Sequence, residues 1–216
     1  MEVVNVGVAD WRLQTITVGP LLMNAHLLWS AEAQEAVLVD PGDESDRLLA
    51  AVDATGCRLT HLLCTHGHFD HVSAAADVQS RWELPLQHHA GDTFLFERLQ
   101  ETRITYGFPP VADPVRTEIP DGPIPFAGGA IDVVHVPGHC PGHVMYVLGE
   151  HALVGDVIFR DSIGRTDFEG GDFDVLAASI RNHVYTMNDE TVLHSGHGPI
   201  TTVGYEKVSN PFVRQS

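Results

Sequence analysis

The chain has 216 residues, of which 44% are hydrophobic, and this length and composition suit one compact domain with a well-filled core. Lysine and arginine together number 12 against 29 aspartates and glutamates, which gives a formal net charge of -17. Because the sequence has no basic cluster to offset repulsion by phosphates, we expect no nucleic-acid partner. The 14 histidines are many for an acidic protein, and their distribution therefore needs an explanation.

Features of targeting and redox chemistry point to the cytoplasm. No apolar run approaches the roughly 20 residues that span a bilayer, and the first ten residues lack the basic and apolar regions of a signal peptide. Three cysteines, Cys57, Cys64 and Cys140, cannot all pair, and none has Cys-x-x-Cys spacing. We therefore expect a soluble cytoplasmic protein without a membrane partner. The oligomeric state stays open.

The first third of the chain predicts β-strands followed by helices. Short β-branched runs, separated by Gly, Pro and Asp, predict strands at 3–8, 13–18, 21–29 and 36–40. Helical spacing follows at 43–54, and a buried strand at 59–65 ends in a histidine-rich loop. Helical character resumes at 72–82.

The middle of the chain, 91–129, combines a helical pattern near 93–103 with a passage rich in Pro and Gly, whose path the sequence does not define. Strands are predicted again at 131–136, 144–148, 152–155 and 191–195, with a helix near 173–184. No repeat or linker interrupts residues 1–216, so we predict a single domain. Two mixed halves, each with strands and helices, predict an α/β (α+β) fold built as a four-layer αββα sandwich.

Residues 65–71, Thr-His-Gly-His-Phe-Asp-His, place four possible metal ligands between a strand and a helix. In an extended loop, side chains two positions apart point the same way, so His66 and His68 can bind one ion while Asp70 and His71 turn toward a second. Gly67 allows the backbone to fold tightly around the ions. A single loop histidine is usually only a polar surface residue, but four possible ligands in six positions favour a metal site.

Three further segments place a ligand type where a predicted strand meets a loop. They are Pro137-Gly138-His139-Cys140-Pro141-Gly142-His143, Gly155-Asp156 and Ser195-Gly196-His197-Gly198-Pro199. Binding residues concentrate on loops that a rigid scaffold positions, so these segments are candidates for the rest of the site.

The order HxHxDH, PGHxPGH, GD and GHGP resembles the metallo-β-lactamase superfamily, and within it the hydroxyacylglutathione hydrolase (glyoxalase II) branch. The resemblance covers nearly the whole chain, from Val39-Asp40-Pro41-Gly42 to Asn210-Pro211-Phe212. The tail from Gly196 onward looks like the small single-domain bacterial glyoxalase II-like proteins. Because the chain ends soon after His197, it departs from the fuller enzymes, which carry a C-terminal helical extension for glutathione binding.

The resemblance implies two divalent metal ions, with zinc as our first choice and iron or manganese as alternatives. Their ligands would be His66, His68 and His139 for the first ion, Asp70, His71 and His197 for the second, and Asp156 between them. His143 and Asp40 match positions that orient ligands from behind, although either could simply cap backbone groups. The remaining histidines, at positions 26, 61, 88, 89, 135, 151, 183 and 194, are expected to be core or surface residues.

Two adjacent ions can share a hydroxide that attacks a carbonyl, so the predicted activity is hydrolysis of an acyl thioester such as S-D-lactoylglutathione. In this scheme Asp70 is the catalytic residue, because it binds the second ion and aims the hydroxide. The alternatives are a persulfide dioxygenase with one iron on His66, His139 and Asp156, a lactonase, or a catalytically silent metal-binding protein.

Arg165 is a candidate substrate-binding residue. It lies in the segment 164–168, Gly-Arg-Thr-Asp-Phe, which also resembles the persulfide dioxygenase branch. A planar guanidinium in an acidic chain can bind an anionic group of the substrate. The alternative is a structural ion pair with Asp161, Asp167 or Glu169.

Overall fold

The computed structural model describes residues 3–214. The strands of its first half are β1 (Val3–Asn5), β2 (Arg12–Val18), β3 (Met23–Ser30), β4 (Glu35–Val39), β5 (Arg58–Leu63), β6 (Leu86–His88) and β7 (Arg116–Glu118). The later strands are β8 (Ile124–Phe126), β9 (Gly129–His135), β10 (Val144–Leu148), β11 (His151–Gly155), β12 (Ile158–Phe159), β13 (Ser162–Ile163), β14 (Val192–Ser195) and β15 (Thr201–Thr202).

The strands form two large sheets and one short hairpin. The first sheet has the order β1-β2-β3-β4-β5-β6-β7 and the second has the order β15-β14-β11-β10-β9-β8, while β12 pairs with β13. Within the first sheet β4 and β5 are parallel, and within the second β11 and β14 are parallel. Because parallel strands end at the same edge, the residues that follow each pair are brought side by side.

The helices are α1 (Ser45–Thr55), α2 (Phe69–Val72), α3 (Ala75–Trp82), α4 (Thr93–Glu97), α5 (Leu99–Thr105), α6 (Phe173–Ser179) and α7 (Val203–Ser209). A 3-10 turn at Ala90–Asp92 precedes α4, and a π-helical turn at Ile180–Val184 continues α6. No helix within residues 3–214 is long and apolar enough to cross a membrane.

Alternation along the strands produces the layers. In β4, Leu38 packs toward α1 and α3, whereas Val37 and Val39 pack between the sheets. In β10, Tyr146 faces the other sheet and Met145 faces the helical layer that contains α6. The result is the four-layer αββα sandwich predicted from the sequence.

Several predicted elements differ in extent. The strand expected at 3–8 ends at Asn5, because Gly7 and Ala9 have φ values of 79° and 43° and turn the chain. The helix expected at 93–103 is interrupted at Arg98. The undefined stretch after it contains the short strands β7 and β8. The single-domain prediction covers residues 1–216, of which 1, 2, 215 and 216 lie outside the described part.

Candidate metal centre

The candidate site lies where the parallel strand pairs of the two sheets end. His66 and His68 lie in the loop after β5, and Asp70 and His71 lie in α2. Asp156 follows β11 and His197 follows β14. The loop between β9 and β10 adds His139. The structure thus brings together all seven residues that the sequence nominated as ligands.

The first donor group consists of His66, His68 and His139, each of which offers a ligand atom within 4.8 Å of the other two. His68 Nδ1 and His139 Nε2 face each other at 2.9 Å. Both His66 and His139 are 2% exposed, so the group is at the bottom of the site rather than on the surface.

The second donor group consists of Asp70, His71 and His197, which satisfy the same 4.8 Å limit. His197 Nε2 lies 3.2 Å from Asp70 Oδ2, and His71 Nε2 lies 4.0 Å from the same oxygen. His71 is fully buried, whereas the side chains of Asp70 and His197 are 18% and 28% exposed. Asp70 and His197 are therefore more exposed than His66 and His139 of the first group.

Asp156 lies between the two groups. Its Oδ2 is 3.7 Å from His139 Nε2 and 3.8 Å from His197 Nε2, and its Oδ1 is 3.4 Å from His71 Nε2. It also forms a third donor group with His66 and His71. A carboxylate in this position can share its oxygens between two ions.

The tautomers of the histidines suit metal binding. In His71, His139 and His197 the Nδ1 atom donates to an oxygen, namely Asp40 Oδ2 at 3.0 Å, the Arg165 carbonyl at 2.6 Å and the Leu21 carbonyl at 3.1 Å. Each ring therefore presents the lone pair of Nε2 to the centre. Such outer hydrogen bonds fix ring orientation in metal sites.

Unpaired buried atoms provide the test of whether metal ions fit. His66 Nε2, His71 Nε2 and Asp156 Oδ1 are buried without a hydrogen-bond partner. Buried polar atoms are normally paired, and a divalent ion between these three atoms would give each of them a partner. The donor set of imidazoles and carboxylates fits divalent ions such as zinc or iron.

Asp40 supports the second donor group from behind. Its backbone has a φ of 55°, and its side chain is fully buried. Oδ1 accepts from Thr65 N at 2.6 Å, while Oδ2 accepts from Thr65 Oγ1 at 2.8 Å and from His71 Nδ1 at 3.0 Å. Asp40 thus both caps the backbone and orients His71, which combines the two roles that the sequence left as alternatives.

His143 has a similar double role. Its ring stacks on His66 with centroids 4.7 Å apart, and its Nε2 accepts a hydrogen bond from Asp156 N at 3.1 Å. Gly155, with a φ of 48°, allows this approach, because a Cβ there would lie 2.5 Å from Thr65 Oγ1 and 2.8 Å from the His143 ring.

Electrostatics keep the carboxylates charged and several rings neutral. Burial alone would raise the pKa of Asp156, but the charge of His71, whose Nε2 lies 3.4 Å from Asp156 Oδ1, holds that pKa well below the usual range. Burial lowers the pKa of His66 well below normal and that of His68 to about 3. Burial also opposes the charge of His71, but the surrounding carboxylates, Asp156 foremost, raise its pKa, so this ring would release a proton when an ion binds. Metal ligands must be deprotonated, so charged carboxylates and neutral imidazoles favour binding.

Arg165 lies at the rim with its side chain 62% exposed. It forms two hydrogen bonds to Asp167, at 2.9 and 2.7 Å, and stacks over Phe168 at 4.2 Å. This is one of the structural ion pairs that the sequence left open. The residue also borders the cavity above the donor groups, so a role in binding is still available to it.

A cavity of about 510 Å³ opens above the donor groups. His68, Asp70, His139, Asp156 and His197 form its floor. Its aromatic wall is contributed by Phe69, Phe94, Tyr106, Phe159 and Phe168. Sequence reasoning did not nominate these aromatic residues, because they come from separate parts of the chain that only the tertiary structure brings together.

Comparison with known proteins agrees with this architecture. The family model described as the metallo-beta-lactamase superfamily matches residues 18–197. This chain belongs to the metallo-β-lactamase superfamily. A Haemophilus influenzae relative named hydroxyacylglutathione hydrolase GloC is 38% identical over 94% of this chain and 98% of its own length. A Bacillus subtilis relative, the probable metallo-hydrolase YqgX, is 34% identical over 94% of this chain and 97% of its own length.

Solved structures of the superfamily superpose closely. The B3 metallo-β-lactamase BLEG-1 has a TM-score of 0.84 with 34% identity and covers 94% of this chain and 100% of its own. TTHA1623, in a di-iron-bound form, has the same TM-score with 37% identity, covering 93% and 100%. ETHE1 from Myxococcus xanthus has a TM-score of 0.76 with 25% identity, covering 92% and 83%. The αββα fold and a metal-dependent hydrolase class are therefore common to this chain and its family.

Proposed function

We propose that this protein hydrolyses acyl thioesters, with S-D-lactoylglutathione as the first candidate substrate, through a centre of two divalent ions. The observation that carries the proposal is that three donor groups lie next to one another and share residues. The middle group, His66, His71 and Asp156, shares His66 with the first donor group and His71 with the second. The name of the Haemophilus influenzae relative, hydroxyacylglutathione hydrolase, supports the choice of substrate.

His66, His68 and His139 would hold the first ion, Asp70, His71 and His197 the second, and Asp156 both. When bound, paired divalent ions supply a nucleophilic water of pKa near 7 and polarise a carbonyl oxygen. Zinc is the first candidate, and the di-iron-bound form of TTHA1623 makes iron the principal alternative.

Asp70 is the residue to which we assign a catalytic role. Its carboxylate lines the cavity and lies 3.2 Å from His197 Nε2, so it borders both the second ion position and the space where substrate would lie. The low pKa of Asp70, which His71 and His197 maintain against the effect of burial, keeps it an acceptor. It can therefore accept a hydrogen bond from the attacking water and aim it at the carbonyl.

The cavity wall supports a substrate with an apolar portion beside the scissile bond. Aromatic rings offer a large apolar surface at small entropic cost when a ligand binds. At the rim, Arg165 would bind an anionic group of the thiol carrier by exchanging its Asp167 partner for the substrate.

The deciding experiment combines metal quantification with two assays on protein purified without chelator. We expect close to two ions per chain and release of free thiol from S-D-lactoylglutathione, which chelation abolishes and metal restores. A β-lactam serves as a comparison substrate, because BLEG-1 is a B3 metallo-β-lactamase.

The second candidate is a persulfide dioxygenase that uses one iron on His66, His139 and Asp156. The segment 164–168 favours it, because its sequence resembles the persulfide dioxygenase branch, and the Arg165 carbonyl of this segment accepts a hydrogen bond from His139. One iron per chain, with oxygen uptake on glutathione persulfide and no thioester hydrolysis, would replace our proposal with this one.

A further inference from the structure

We infer that Asp92 is a positioning residue that joins the two loops of the first donor group and sets its affinity for metal. Asp92 ends the 3-10 turn Ala90–Asp92, outside all the ligand segments, and it is fully buried. The inference rests on the proposed two-ion centre but not on any choice of substrate.

The Asp92 carboxylate accepts hydrogen bonds from both loops. Gly67 N, between His66 and His68, donates to Oδ2 at 2.9 Å. Gly142 N, in the loop that carries His139, donates to Oδ1 at 2.6 Å. The Cys140 thiol, next to His139, donates to Oδ2 at 3.1 Å.

The carboxylate is held by these donors rather than by a cation. Within residues 3–214, no ion pair involves Asp92. Because burial of an unpaired charge is costly, the three hydrogen bonds must compensate it. The approach depends on glycine at position 142, because a Cβ there would lie 2.6 Å from Asp92 N and 2.7 Å from Oδ1. At position 67, a Cβ would lie 3.0 Å from Phe96.

One carboxylate therefore fixes the separation of two loops that are far apart in sequence. His68 and His139, one from each loop, have donor nitrogens only 2.9 Å apart, so a small loop displacement would spread the first donor group. Asp40 supports the other donor group in a similar way, through His71. Asp92 differs in that it acts through backbone N–H groups and touches no ligand side chain in these contacts.

The test is the variant Asp92→Asn. An amide has one acceptor oxygen, so either Gly67 N or Gly142 N must lose its partner. Competition with a chromophoric zinc chelator should then show one ion bound about 10- to 100-fold more weakly while the other keeps its affinity. The visible spectrum of the cobalt-substituted protein should change for the same ion.

Two variants serve as controls. Cys140→Ala removes one donor but leaves both backbone bonds to Asp92, so both ions should keep their affinity. Asp132→Asn makes the same change of charge on the exposed face of β9 and should also leave both unchanged.

Equal weakening of both ions in Asp92→Asn, or a lower melting temperature with both affinities intact, would reduce Asp92 to a structural residue. If the variant does not fold, hydrogen exchange on metal-loaded wild type decides: the amides of Gly67 and Gly142 should exchange as slowly as those of β5 and β10. Rapid exchange of either amide would overturn the inference. Wild type that binds a single ion would instead contradict the proposed two-ion centre.

Discussion

The metal centre and a second cluster of histidines have different surroundings. In the metal centre the rings alternate with the carboxylates of Asp70 and Asp156. The other cluster, the histidine trio, consists of His26, His151 and His194 on neighbouring strand faces. There His151 Nδ1 lies 2.9 Å from His194 Nε2, and the His26 ring meets the His194 ring edge-on at 5.8 Å. Within residues 3–214, no metal-binding group includes a member of the trio.

The difference shows what separates a ligand from a core histidine. In the trio, burial lowers the pKa of His194 to about 4 and that of His26 well below normal, and no carboxylate opposes the shift. In the metal centre, carboxylates raise the pKa of the equally buried His71. Interleaved carboxylates also neutralise the positive charge that a metal ion brings, which a cluster of imidazoles alone cannot do.

The largest expected effect follows from removing a carboxylate from the metal centre. Asp70→Asn should lower thioester hydrolysis by about 100-fold or more, because the second ion loses a charged ligand and the water loses its acceptor. Metal content and initial rates measure the change, with the exposed Asp174→Asn as control. Near-normal hydrolysis with two ions retained would show that the assigned role of Asp70 is wrong.

A smaller effect is expected when the carboxylate lies behind the ligand. Asp40→Asn leaves His71 in place but weakens the hydrogen bond that orients its ring, so affinity for the second ion should fall about 10- to 100-fold. Chelator competition measures it, and Asp121→Asn on the surface is the matched control. Unaltered affinity would mean that Asp40 serves only the Thr65 backbone.

A variant of Arg165 distinguishes substrate binding from metal binding. Since His139 is held by the Arg165 carbonyl and not by its side chain, Arg165→Ala should keep both ions and raise KM for S-D-lactoylglutathione about two- to fivefold, with little change in kcat. Arg160→Ala is a close control, because Arg160 also pairs with a nearby aspartate and stacks on an aromatic ring, but outside the cavity lining. An equal loss on charged and uncharged thioesters, with a lower melting temperature, would make Arg165 structural.

The smallest effect on activity is expected in the trio. His194→Leu should keep two ions and hydrolysis within about twofold of wild type. The measurable effect of the variant is on stability. Between pH 6.5 and about 4, His194 binds a proton in the unfolded chain but not in the folded protein. The free energy of unfolding of wild type therefore falls as pH falls. The variant has no histidine at this position and does not lose this stability. The melting temperature of the variant should therefore rise relative to that of wild type as pH is lowered toward about 4. An unchanged difference across that range would contradict the assigned pKa, and His183→Gln on the surface is the control.

The fold and the types of metal ligand could be predicted, because both are indicated by patterns within short stretches of sequence. Alternating strands such as β10 and the dense ligand segment 65–71 are visible within a few residues of sequence. Asp92 was not predictable in this way, because a lone aspartate before a helix resembles an ordinary cap, and its partners Gly67 and Gly142 are 25 and 50 positions away. The path of 91–129 was equally hidden, since β7 and β8 are short edge strands with a weak period.

The sequence by itself determined which residues could bind metal. Through the family resemblance it also assigned each of these residues to the first ion, the second ion or both. Composition likewise set the acidic character of the chain. Only the tertiary structure decided that Asp92 joins the loops of Gly67 and Gly142, that Arg165 pairs with Asp167, and that His194 stacks on His151. The physical reason is that hydrogen bonds and ion pairs depend on distances of a few ångströms, which are fixed by how two sheets pack and not by the spacing of residues along the chain.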